Sequence, residues 1–140
     1  MAKKSKAIPA PSPNVRGKIS AQNDHVNYDN NPPIFSLERL QDGDFCLQTL
    51  DQEGKASFAD AIFRRKDKLW KEIKQMNKHG LGFEKISRKS ITAPIPPFIT
   101  PDVDHFLAFR YHALRAMVGY RKNDIFYVLW FDSKFTLYSH

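Results

Sequence analysis

HFLAFRYH (105–112), RAMVGYRK (115–122) and IFYVLWFD (125–132) follow one another with only short gaps between them. Each run is rich in aromatic and branched residues and reads as a strand. Asn123-Asp124 is a two-residue connection of types that tolerate left-handed backbone, so the last two runs form a tight hairpin. Counting outward from that turn sets Lys122 opposite Ile125, Tyr120 opposite Tyr127 and Val118 opposite Leu129. Ala116 and Phe131 share their face. The other face then carries Arg121 with Phe126, Gly119 with Val128, Met117 with Trp130, and Arg115 with Asp132. The first face is the more apolar and is expected to receive the helices. Trp130 indicates that part of the second is covered too.

Downstream, 135–138 is short and apolar enough for a final strand. Upstream, 92–104 contains Pro94, Pro96, Pro97 and Pro101 and is expected to be a stiff irregular loop. Residues 83–91 alternate as a short strand or extended loop. From Lys55 to Lys78 the spacing turns helical, with Phe58, Ile62, Leu69, Ile73 and Met76 on one side and a bend expected near Arg65–Lys68. Ser57 or Asp51 is suited to cap its start, and Gly80 to end it in a left-handed conformation. The opposite side carries Arg64, Arg65, Lys66, Lys68, Lys71, Lys74 and Lys78, a pattern of a solvated helix face or of one lining an RNA groove. The runs 34–40 and 45–50, either side of Gln41–Asp44, are expected to pair as a hairpin.

Residues 1–33 are different in kind. They hold five of the nine prolines, five basic residues against two acidic ones, and few large apolar side chains. Such a segment buries too little surface to offset its ordering entropy, and a disordered basic tail is expected. The fold class is therefore α+β. About four to six strands form a twisted antiparallel sheet with a helical hairpin packed on one face, in a single domain over 34–140.

Across 140 residues the net charge is +7, which points to an anionic partner: nucleic acid, lipid headgroup or acidic protein. The single cysteine, Cys46, rules out an internal disulfide and a cysteine-based zinc site. No apolar run is long enough to span a bilayer, and the N-terminus lacks the apolar stretch of a signal peptide. A cytoplasmic protein without membrane attachment is expected. Walker, GxSxG, HExxH and GxGxxG motifs are absent, and the five histidines lack metal-ligand spacing, so neither a metal nor a small-molecule cofactor is expected.

What remains is a basic and aromatic group. Arg110 and Arg121 lie on adjacent strands, Lys85, Arg88 and Lys89 just upstream, and Tyr138 and His140 at the end of the chain. Arginine holds a phosphate bidentately and stabilises charge building on phosphorus. Histidine or tyrosine can move protons at a ribose hydroxyl. A metal-free cut of RNA through its own 2′-hydroxyl is within reach of such a set. The alternative is that the arginines are cross-strand ion-pair partners and Tyr138 is core.

A basic helical hairpin followed by Phe109-Arg110, by Gly119-Tyr120-Arg121, by Val128-Leu129-Trp130 and by Leu137-Tyr138-Ser139-His140 resembles the RelE/ParE toxin superfamily. Members are small bacterial proteins, usually encoded beside an antitoxin. The resemblance covers roughly 55–140. It implies a RelE-like sheet with a helical hairpin, and, in the RelE branch, cleavage of mRNA on the ribosome. It implies Arg110, Tyr138, His140, Lys85 and Arg88 as catalytic candidates. Arg121, Lys89, Lys71, Lys74 and Lys78 are the residues expected to contact RNA. The partners implied are RNA or the ribosome, and an antitoxin protein. The alternative is a non-enzymatic protein- or nucleic-acid-binding module on the same scaffold, either a ParE-like inhibitor of a protein target or a phage or mobile-element accessory protein.

Overall fold

A computed structural model describes residues 26–139. The part of the expected tail on 1–25, and His140, lie outside the described residues. Structure begins within the stretch expected to be disordered: Tyr28–Asn30 form a 3-10 turn capped by Asn27, and Trp70 N donates to Asn31 O at 3.0 Å.

The sheet has five strands: β1 (Ile34–Ser36), β2 (Phe83–Ser87), β3 (His105–His112), β4 (Arg115–Lys122) and β5 (Ile125–Asp132). Their spatial order is β1-β5-β4-β3-β2, and β2 to β5 run antiparallel as expected. β1 overturns the expected hairpin, because it pairs in parallel with β5, Phe35 beside Phe126. The sheet is therefore mixed. Phe45 to Leu50 is not a strand but a turn followed by the 3-10 turn Leu47–Thr49. The chain between stays against β5 instead of folding back on β1: Gln41 N donates to Leu129 O and Phe131 N to Phe45 O. No strand forms at the expected 135–138 either, where the backbone bends instead.

α1 (Gln52–Arg64) starts where Asp51 caps it, its carboxylate accepting from Gly54 N at 2.7 Å. α2 is short (Trp70–Ile73), and the intervening turn falls at the expected bend. Gly80 is not left-handed; Gly43 is the glycine with positive φ among the described residues. Gly82 is the one the linker requires, since a Cβ there would meet Met76 O at 2.2 Å.

Asn123 takes φ 60°, and the hairpin pairs Lys122 with Ile125 and Tyr120 with Tyr127, as counted from the sequence. Beyond Gly119 the register slips by one, so Val118 faces Trp130 and Ala116 faces Asp132. Here the backbones come so close that a Cβ on Gly119 would lie 1.8 Å from Tyr127 O. A bulge re-aims the strand after it.

The slip puts Phe131 on the face of Met117 and Trp130 on that of Val118, the reverse of the counted assignment. The helices cover the face of Met117, Phe126, Val128 and Phe131, where Phe58, Ala61, Trp70 and Ile73 pack with Phe109 and Tyr111. The expected face, with Val118, Tyr120 and Leu129, is instead covered by the proline loop through Ile99 and Val103, with Phe106, Trp130 and Leu137. Arg39 pins that loop, its guanidinium lying 4.7 Å from the Phe98 ring and 5.4 Å from that of Tyr127, which stacks on Tyr120. Both faces are apolar because both are buried, so apolarity alone does not tell them apart.

Candidate functional site

Near the β3–β4 turn, charged groups from three segments converge on the loop-side face. β3 supplies Arg110, in line with Phe106 and Ala108. β2 supplies Glu84, which pairs with Ala108. The linker after α2 supplies Lys78 and His79. Arg110 Nη1 lies 2.5 Å from His79 Nδ1. A guanidinium only donates, so the imidazole accepts at Nδ1 and carries its proton on Nε2. Arg110 Nη2 is 3.9 Å from Glu84 Oε1, and Lys78 Nζ is 3.3 Å from Glu84 Oε2. One carboxylate therefore serves two cations, and His79 is exposed.

Tyr138, beyond β5, packs in the core with Ile86, Phe106 and Ala108, near enough for the charges of Glu84 and Arg110 to act on its phenol. It is 5% exposed and belongs to the loop-side core. Burial pushes its phenol up to about 12; the charges of Glu84 and Asp132 act in the same direction and Arg110 opposes them. The hydroxyl is thus held in its proton-donating form. Arg110, with 15% of its side chain exposed, keeps access to solvent.

The remaining expected residues lie elsewhere. Arg88 clamps the proline loop, Nη1 donating to Thr100 O at 2.6 Å and Val103 O at 2.9 Å. Lys85 points by strand alternation to the helix side with Phe83, opposite Arg110. Lys85 and Lys89 are exposed and line a groove of about 560 Å³ with Ser87, Pro101 and His105. Arg121 lies 4.3 Å from the Trp70 ring, donates to Asn123 O at 2.6 Å and pairs with Asp29 at 2.7 Å. Lys74 meets the same carboxylate at 2.6 Å, while Lys71 is exposed. Arg65 departs furthest from the expected solvated face. It is fully buried, donates to Leu81 O and Ala61 O, and sits 4.8 Å from the Phe109 ring, and its burial lowers its pKa to about 10.

Sequence reasoning missed His79 and Glu84. Glu84 alternates with Ile86, so it shares the face of a core residue; only the pairing of β2 with β3 brings it beside Arg110. Among the described residues no cluster of three or more histidine, cysteine, aspartate or glutamate side chains is arranged to hold a metal, and no helix is long and apolar enough to cross a membrane. No family model, curated protein or solved structure matches the chain.

Proposed function

We propose that this protein is a RelE-like toxin: a metal-independent endoribonuclease that acts on mRNA, associated with the ribosome in the cytoplasm and held in check by an antitoxin protein. The observation that carries the reading is the part-exposed Arg110, in contact with a histidine and near a carboxylate, with its charge acting on a protonated phenol. Arg110 would bind the scissile phosphate and stabilise its transition-state charge. His79 Nδ1, or Glu84, would take the proton of the 2′-hydroxyl as its oxygen attacks the adjacent phosphorus. The P–O5′ bond would break, Tyr138 would protonate the departing oxygen, and a 2′,3′-cyclic phosphate would remain. Because His79 Nδ1 already accepts from Arg110, the phosphate must first draw the guanidinium away.

The test is expression of the full chain in bacteria, with mRNA cleavage followed in extracts with and without ribosomes. Toxicity and cleavage should fall in Arg110→Ala and Tyr138→Phe. Undiminished toxicity in both would exclude this site. A small DNA-binding protein encoded in the adjacent reading frame would support the antitoxin.

The burial of Tyr138 favours a second reading, a non-enzymatic RNA- or protein-binding module on the same scaffold. Salt-steep RNA binding without any cleavage product would favour it.

A further inference from the structure

We propose that Asp132 is a positioning residue, whose buried carboxylate folds the turn after β5 so that Tyr138 is seated in the loop-side core, on the side of the sheet that carries Arg110 and Glu84. This rests on the ribonuclease reading for its effect on activity, but not for its effect on geometry. Asp132 ends β5 and is fully buried. A carboxylate removed from water is costly unless hydrogen bonds replace its hydration. Its Oδ1 accepts from Thr136 N at 2.9 Å and from Leu137 N at 3.1 Å. Those two amides close the turn immediately before Tyr138.

Other contacts grip the same turn. Arg115 Nε donates to Ser133 O at 2.9 Å, while Thr92 donates from its backbone to Leu137 O and from its hydroxyl to Thr136 O, both at 2.8 Å. Phe135 takes φ 59°, a left-handed conformation that a side chain of this size adopts only when its surroundings impose it. Leu137 then enters the loop-side core fully buried. With Leu137 fixed, the next residue has little freedom, and its phenol comes under the charges of Arg110 and Glu84.

The experiment uses the full chain with Asp132→Ala and Asp132→Asn. The asparagine keeps an acceptor oxygen; the alanine keeps none. Nitration by tetranitromethane, mapped by peptide, reports whether Tyr138 is shielded. Wild type and Asp132→Asn should protect Tyr138, and Asp132→Ala should expose it while Tyr111 stays protected. Amide exchange at Thr136 and Leu137 should quicken in the alanine variant alone. If wild type cleaves RNA, Asp132→Ala should lower kcat roughly 10- to 100-fold with little change in KM, and should add nothing to Tyr138→Phe. Protection of Tyr138 that survives in Asp132→Ala would overturn the proposal, as would an additive loss in the double variant. If Asp132→Ala does not fold, Asp132→Ser serves in its place, and unaltered exchange there counts against the proposal. A wild type without ribonuclease activity removes the functional reading, and nitration and exchange still decide the geometric one.

Discussion

Arg110 and Arg121 stand on neighbouring strands, and their surroundings differ in almost every respect. Arg121, on the helix side, has its guanidinium against Trp70, one bond to the Asn123 carbonyl that closes the β4–β5 turn, and one to Asp29. Its aromatic contact and its acceptors are all structural, and they join the segment before β1 to the sheet. Arg110, on the loop side, touches a histidine and lies 3.9 Å from a carboxylate that Lys78 also claims. Its partners are themselves groups that move protons. Both arginines share their carboxylate with a lysine, but Arg121 meets Asp29 at 2.7 Å and is also held by a backbone carbonyl and an indole face, so it is tied to the fold. Arg110 lies at the longer distance of 3.9 Å from its carboxylate and has no backbone acceptor among the contacts described, which is what the proposed phosphate-binding role requires.

The largest effect expected from breaking the Arg121 side comes from Trp70→Ala. The indole is fully buried, packs near Phe109 and donates from Nε1 to Asp124 O at 3.0 Å. Its loss should cost about 3–5 kcal/mol, read from the denaturant midpoint. Next comes Arg110→Lys, which should leave stability within about 0.5 kcal/mol because the side chain carries no core. On the proposed ribonuclease reading, cleavage should fall about 100-fold, roughly 2.7 kcal/mol of transition-state stabilisation, since an ammonium cannot grip two phosphate oxygens in one plane. A variant that cleaves normally would show that Arg110 is no more catalytic than Arg121. Third, Arg121→Ala should cost about 1–2 kcal/mol of stability and leave cleavage per folded molecule unchanged.

These two environments were unequally legible in the sequence. The meander was readable because three eight-residue runs and Asn123-Asp124 leave little choice of pairing. Its sidedness was not, because the proline loop buries a face that polarity would assign to the helices; the Gly119 bulge separately exchanges Trp130 and Phe131 between the faces. The parallel pairing of β1 is a long-range choice, set by Ile34 N donating to Asp124 O, with no local turn to announce it. Arg110 could be picked out as a phosphate-binding candidate from its strand. Its neighbours Glu84 and His79 are brought in by the β2–β3 pairing, from 26 and 31 residues away in the chain. Asp29 is the complementary case: it lies in a stretch whose composition signals disorder, yet it fixes Lys74 and Arg121, two cations otherwise expected to bind RNA.

The smallest effect isolates that carboxylate. Hydrogen bonds from Lys74 and then Arg121 hold the Asp29 carboxyl below its ordinary value of 3.8. A depressed folded-state pKa contributes stability that is present above the unfolded value and is lost as pH falls through the folded one. Wild type should therefore lose stability between about pH 5 and about pH 2 more steeply than Asp29→Asn, and the two should converge at the acid end. Asp102 and Asp104 are also held low, so the difference between the curves, not the wild-type slope, carries the information. The side chain of Asp29 keeps 27% of its exposure, so solvent screens the pair and the difference should stay below about 1 kcal/mol. Parallel curves would mean that Asp29 holds the two cations weakly, and Arg121 and Lys74 would then return to the set of residues free to meet RNA.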